Sequence, residues 1–426
     1  MKKHPAALIP HVLFVLAVIY MVQYVINDGG NDLYIYRLGA ETITDGPGGP
    51  GLYEVSLDNY PFTYPPFAAL LFVPFALMPK EVGMALMMLI TAGIAWWLGW
   101  VITRYVSGRG VRIPLYEHLG TAGCASTLAL LIWASGPWRL TTHFGQINAV
   151  ILLLVLADFL RPATRVPRGV LIGIAGGIKL TPLAFGLILL MRKDWRGVAS
   201  VAGGFVGTIA LGFLAVPGEA AYYWGVAVRN TSRIGVTAFY DNVSLTGIFA
   251  HQGVPEPIAT VLVVALSLFL LVATAALMRL FIRANMVFSQ VALNAFLMLQ
   301  ISPISWSHHN TWYPVLLVAL CLEIFPLIMP AARPVVYVLS VFASVIALVG
   351  MYISPFWLAV LFSPKYSSHE MIYLPQGGAG LVAGSAPYAA MYLVVALVFL
   401  TYWAHRAAID ARVDSGRFRA PERPAP

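Results

Sequence analysis

Residues 67–112 read FAALLFVPFALMPKEVGMALMMLITAGIAWWLGWVITRYVSGRGVR, and the way this stretch divides decides the fold. Its first part, 67–81, holds about 13 apolar residues interrupted by Pro74 and Pro79, too few to cross roughly 30 Å of hydrocarbon as a helix. Its second part, Val82 to Thr103, carries no charge and is long enough. Taking the second part alone as a span puts Arg104, Arg109 and Arg112 on the same side as Lys2, Lys3 and His4, as the positive-inside rule requires. Two crossings would strand those arginines outside, so 67–81 reads as an interfacial or re-entrant helix on the outer side. The pattern recurs along the chain. Of 426 residues 59% are apolar and 10% charged, against roughly 25% charged in a soluble protein. The net charge of +8 sits in short Lys/Arg clusters between apolar runs, where it orients spans and gives no reason to expect nucleic acid.

The same reasoning walks the topology outward. Ala6 to Ile26 forms span 1, read as uncleaved because no small-x-small site follows it, and opens into a long acidic outer loop, 27–81. Span 3 is Leu119 to Ala134, the loop 135–148 lies outside, and span 4, Ala149 to Leu160, returns to Arg161, Arg165 and Arg168. Residues 169–191, GVLIGIAGGIKLTPLAFGLILLM, have basic clusters at both ends, the second being Arg192, Lys193 and Arg196. A helical hairpin of two short halves with its outer apex near Lys179 satisfies both. Span 7 is Val198 to Val216 and span 8 is Ile258 to Leu280; spans 9 and 10 flank SPISWSHHN at 302–310, and spans 11 and 12 flank an outer loop, Ser354 to Pro387. This predicts an all-α polytopic membrane protein: one domain over 1–405 with twelve spans and both termini cytoplasmic, then a disordered tail, 406–426. Both cysteines, Cys124 and Cys321, lie in apolar runs, which argues against a disulfide framework or a Cys metal site.

Polar residues concentrate in the outer segments, whereas a transporter or channel usually sets charges at mid-membrane. Asp158 and Glu323, the acidic residues inside spans, read as snorkelling from cytoplasmic ends. An enzyme acting at the outer face on a lipid-linked substrate fits this distribution; a lipid-linked sugar transporter or flippase is the reading from another class. Directly after span 1, NDLYIYRLGAETI places Leu33, Tyr36, Ala40 and Ile43 on one helical stripe and pairs Arg37 with Glu41, predicting an amphipathic helix on the membrane. Asp32 in its first turn is suited to cap that helix and to act as a general base on an acceptor hydroxyl. Asp58, in the same loop, is the alternative base and otherwise a turn residue, as are Asp28 and Asp45. Gln146, Asn148 and Asn242 are carboxamides suited to sugar hydroxyls or to caps. Lys179 at an interrupted apex suits a lipid phosphate or snorkels. His308 and His309 after Trp306 are too close in sequence to share a metal readily, and no HExxH, DxD or Walker pattern occurs.

The ordered elements DLYIY (32–36), YPFTYPP (60–66), GQIN (145–148), GGIKLTP (176–182), DNVSL (241–245) and SPISWSHH (302–309) together resemble glycosyltransferase family 87, among the C-type membrane glycosyltransferases. The loop 36–79 resembles more closely the members that add a fifth, α-1,2-linked mannose to phosphatidylinositol mannosides. The resemblance implies polyprenyl-phosphate mannose as donor lipid, a phosphatidylinositol mannoside as acceptor lipid, chemistry on the periplasmic face of the plasma membrane, no metal or cofactor, and an essential aspartate in the first outer loop. Asp32 matches that aspartate, with Asp58 as the alternative. A lipomannan acceptor or an arabinosyl donor are the nearest variants. On this reading Lys179, His308 and His309 bind the donor phosphate, while Tyr36, Tyr64, Gln146, Asn148, Asn242 and Trp306 bind the sugars.

Overall fold

The computed structural model describes residues 8–45, 49–58, 60–109, 114–162, 165–362 and 379–416. Lys2, Lys3, His4 and Arg112, and residues 363–378 of the predicted outer loop Ser354 to Pro387, lie outside the described residues. The chain forms two compact units, 1–134 with 138–235, and 135–137 with 236–425.

The first unit contains α1 (Ile9–Asp28), α2 (Asn31–Thr44), a two-stranded antiparallel hairpin of β1 (Ser56–Leu57) and β2 (Tyr60–Pro61), α3 (Pro66–Ala76), α4 (Lys80–Gly108), α5 (Pro114–Ala134), α6 (Gly136–Phe144), α7 (Asn148–Leu160), α8 (Val170–Ile178), α9 (Gly186–Met191), α10 (Trp195–Ala215) and α11 (Pro217–Gly225). The second contains α12 (Leu245–His251), α13 (Glu256–Arg283), α14 (Val287–Ile301), α15 (Tyr313–Val318), α16 (Phe325–Ile328), α17 (Pro334–Ile353), α18 (Pro355–Leu361), α19 (Ala379–Ala404) and α20 (Arg406–Asp414). Among the described residues seven helices are long and apolar enough to cross a membrane, or eight if α5 and α6, bent by 76°, count as one span. The exposed side chains of α1, such as Val12, Leu16 and Ile19, are those of a lipid-facing helix. The predicted twelve spans include α7 and α14, which are too short alone: the 13 residues of α7 rise only about 20 Å. Within the sequence 135–148, expected as a loop, residues 136–144 instead form α6.

Helices in lipid gain little from hydrophobic burial against each other, so they associate where small residues let backbones approach. Gly173 and Gly177, four apart on α8, face α10; a Cβ on Gly173 would strike the Val201 carbonyl and one on Gly177 the Thr208 side chain. This close seam fixes the end of α8, and with it Lys179.

Three expectations are corrected. Asp158 is 1% exposed and does not snorkel. Its Oδ2 accepts from the Gly169 and Ile172 N–H groups at 2.7 and 3.2 Å, capping α8, while Oδ1 pairs with Arg161 at 2.8 Å. Glu323, fully buried, likewise accepts from Ser289 N–H at 2.7 Å in the first turn of α14. The tail expected to be disordered from 406 forms α20: Ile409 and Val413 are buried, Arg283 bridges Asp410 and Asp414 at 3.0 and 2.8 Å, and Arg412 donates to the Leu327 carbonyl at 2.9 Å. Residues 417–426 of that tail lie outside the described residues.

Candidate active site

The loop that follows α1 is shaped by two glycines. Gly30 has φ 94°, a left-handed conformation that glycine adopts without strain, and its N–H donates to the His143 carbonyl at 2.8 Å. The chain therefore turns sharply from α1 into α2. Leu33, Tyr36 and Ala40 are fully buried, so the predicted apolar stripe exists but packs on protein, chiefly α3, where the expectation had it on lipid. Arg37 fixes that packing by donating to the carbonyls of Phe75 and of Met78, the latter at 2.8 Å, beyond the C-terminal end of α3; its pairing with Glu41 is looser, at 3.8 Å.

Asp32 sits in the first turn of α2 but makes no capping bond, because Gly30 occupies the N-cap. Its carboxyl is instead hydrogen-bonded to the Gln146 side chain. Gln146 reaches it because Gly145, at φ 66°, turns the chain between α6 and α7 directly against Leu33. The Tyr36 hydroxyl lies 2.9 Å from Gln146 Oε1 and 3.0 Å from the Tyr64 hydroxyl. The Tyr36 ring stacks on Phe72 and meets Tyr64 edge-on, with centroids 4.4 and 5.0 Å apart. Lys179, in the extended break after α8, places its Nζ 3.5 Å from Asn148 Oδ1 and 5.6 Å from the Tyr64 ring centroid.

Electrostatics follow from this enclosure. Burial pushes the Asp32 carboxyl up to about 6, against the opposing pull of the Gln146 hydrogen bond and the Lys179 charge. It is thus ionised at neutral pH yet more basic than an ordinary aspartate, the condition a general base needs. Burial also raises both Tyr36 and Tyr64 above the usual phenol range, which keeps them protonated as donors. Six of the residues singled out from sequence, Asp32, Tyr36, Tyr64, Gln146, Asn148 and Lys179, therefore form one connected group in the first unit. Asp58 does not join it: it is exposed, at φ 49°, in the turn between β1 and β2.

In the second unit the predicted residues gather around a bridge between Asn242 and Trp306. Asn242 is fully buried and its amide is saturated. Its Oδ1 accepts from Ser244 and Ser305 N–H at 3.2 and 2.9 Å, and its Nδ2 donates to the Thr237 and Pro303 carbonyls at 2.9 and 3.0 Å. It clamps two loops and has no polar atom left for a sugar, which corrects that expectation. His309 Nδ1 accepts from the Trp306 N–H at 3.2 Å, and the His308 and His309 rings meet edge-on with centroids 4.7 Å apart. The residue that sequence reasoning passed over is Asp241. Its Oδ2 accepts from Ser307 N–H at 3.3 Å while Oδ1 is buried without a hydrogen-bond partner among the described residues, and burial pushes it up to about 7 against the Ser307 hydrogen bonds. The available signal was a carboxylate beside Asn242 in an otherwise aromatic and apolar loop.

Residues 62–303 match the family model of glycosyltransferase family 87. The chain is 33% identical over 291 residues to the polyprenol-phosphate-mannose-dependent alpha-(1-2)-phosphatidylinositol mannoside mannosyltransferase of Mycobacterium tuberculosis, covering 66% of this chain and 67% of that one. It is 31% identical over 309 residues to the protein of the same description from Mycolicibacterium smegmatis, covering 67% and 69%. A third relative, the polyprenol-phosphate-mannose-dependent alpha-(1-2)-phosphatidylinositol pentamannoside mannosyltransferase of Mycolicibacterium smegmatis, is also 31% identical over 309 residues, covering 68% and 69%. No solved structure matches the chain.

Proposed function

We infer from membership of glycosyltransferase family 87, to which this chain belongs, that it is an inverting α-1,2-mannosyltransferase moving mannose from polyprenyl-phosphate mannose to a phosphatidylinositol mannoside. The observation that carries the mechanism is the desolvated carboxylate of Asp32 held by Gln146 beside Lys179. Asp32 takes the proton from an acceptor 2-hydroxyl. The acceptor oxygen then forms its bond to the anomeric carbon as the bond from that carbon to the phosphate oxygen breaks, with inversion. Polyprenyl phosphate leaves as an anion and needs no proton from an acid; Lys179 supplies positive charge placed in advance for it. Tyr36, Tyr64, Gln146 and Asn148 hold the sugars through donors and acceptors that burial keeps fixed. His308 and His309 are proposed as further ligands of the donor phosphate and Trp306 of the sugars, and Asp58 is the base should Asp32 prove dispensable.

The active face is the periplasmic side of the plasma membrane, with twelve crossings and cytoplasmic termini, a topology supported by the distribution of Lys and Arg. The acceptor step is the conversion of tetramannoside to pentamannoside. A relative named for a pentamannoside acceptor stands at similar identity, so the test offers both acceptors. Purified protein is incubated with radiolabelled polyprenyl-phosphate mannose and either glycolipid, and the product linkage is determined. An α-1,2-linked pentamannoside is the expected product. Labelled hexamannoside alone shifts the step by one sugar, and translocation of label without a new glycosidic bond removes the enzyme reading.

A further inference from the structure

A second group of side chains in the first unit borders the Asp32 network without belonging to it. The Tyr53 hydroxyl donates to the Tyr64 carbonyl at 3.0 Å. Its ring stacks against Tyr223 of α11, with centroids 5.5 Å apart and planes 23° apart, and lies 5.7 Å from Tyr222. The Arg233 guanidinium sits 5.3 Å from the Tyr53 ring centroid, and Arg233 Nε is buried with no hydrogen-bond partner among the described residues. Tyr222 is 45% exposed, so the cluster opens to the surface, and Arg229, four residues before Arg233, is also exposed.

A guanidinium is planar and carries its five N–H donors along the edge. Contact with an aromatic ring occupies its face and leaves the edge to bind an acceptor. Glu219 is the acidic group whose charge acts on Tyr53, yet among the described residues it forms no ion pair with Arg233. The partner that matches a free guanidinium edge is a phosphate with two oxygens in one plane. An exposed ring such as that of Tyr222 suits the apolar face of a cyclic polyol next to that phosphate. The donor phosphate already has Lys179 beside the base, which leaves the phosphodiester of the other lipid substrate.

We propose that Arg233, seated over Tyr53, binds the phosphodiester of the acceptor lipid's headgroup, with the exposed Tyr222 carrying the polyol ring attached to it. This rests on the mannosyltransferase reading for the identity of the acceptor, but its test is a binding measurement that needs no turnover. The detergent-purified full chain is titrated with phosphatidylinositol, with polyprenyl phosphate and with phosphatidylcholine, reading thermal stabilisation. Arg233→Gln should weaken phosphatidylinositol binding by at least about tenfold and polyprenyl phosphate binding by less than about twofold. Arg233→Lys, which keeps the charge but loses the fork, should recover only part of the loss. In kinetics the acceptor KM should rise about tenfold with the donor KM unchanged. Loss confined to polyprenyl phosphate makes the bound phosphate the donor's and overturns the proposal, as does unchanged binding of both lipids in a folded variant. Arg233-dependent phosphatidylinositol binding in a protein that transfers no mannose would uphold this site while removing the reaction assigned to it.

Discussion

Replacing Asp32 with asparagine separates its chemical role from its structural one, because a helix cap and a desolvated carboxylate respond to it differently. A helix cap lost to substitution costs stability, and asparagine, itself a good cap, should change little. A desolvated carboxylate behaves otherwise. Raising a carboxyl from its ordinary 3.8 to about 6 means that the folded state holds the proton more tightly than the unfolded one. The associated stability is fully present below about pH 3.8 and is lost as pH rises to about 6. At pH 8 the ionised group therefore costs the fold about 3 kcal/mol, from 1.36 kcal/mol for each pH unit. At pH 5 the loss is roughly half as large. Asparagine resembles the protonated form, with Lys179 left facing a neutral side chain in both, so Asp32→Asn should melt above wild type at pH 8 and by a smaller margin at pH 5. Turnover should fall by at least about a hundredfold, the low end for loss of a general base. Melting curves at the two pH values and a radiolabelled transfer assay test both halves. Near-normal turnover in the asparagine variant would falsify the assignment, and a lower melting temperature at both pH values would show that the carboxylate is structural. The exposed Asp58 supplies the control: Asp58→Asn should leave melting and turnover unchanged, and a dead Asp58→Asn with an active Asp32→Asn moves the base there.

Transfer rates in wild type should fall about tenfold for each pH unit below about 6 as Asp32 is protonated, and a rate flat from pH 7 to 5 contradicts a base of that strength. Lys179→Met and His309→Ala should each lower turnover at least about tenfold, or roughly 1.4 kcal/mol of transition-state stabilisation, and weaken protection by polyprenyl phosphate; wild-type values for both variants take these residues out of donor binding. For topology, cysteines at 46 and 234 should react with an impermeant thiol reagent from outside intact cells, and one at 165 should not; labelling at 165 alone inverts the orientation. Position 46 lies outside the described residues.

What sequence could tell depended on whether a residue's partners lay on its own element. The stripe of Leu33, Tyr36 and Ala40 was legible from spacing alone, and so was the break at Lys179 between glycines and a proline. Their covering was not, since a stripe says that a face is apolar and nothing of whether lipid or α3 meets it. Asp158 and Glu323 show the same limit more sharply. Each was judged by its depth along its own helix, which suggests a side chain reaching for the interface. Their hydrogen bonds go instead to the first turns of α8 and α14, where unsatisfied N–H groups attract a carboxylate. Asn242 was misjudged because a carboxamide offers a sugar and a bent backbone the same groups, and here four backbone groups claim them first. By contrast α20 had a signal that composition obscured: Ile409 and Val413 stand four apart, the spacing of one buried helical face, with Arg412 on the same stretch. The grouping around Asp32 was legible only in part. Lys179 at a broken apex is a marked position by itself, whereas Gln146 and Asn148 read equally well as caps and Asp32 as a cap or a base, and the fold joins the four through contacts that single positions in a sequence do not reveal.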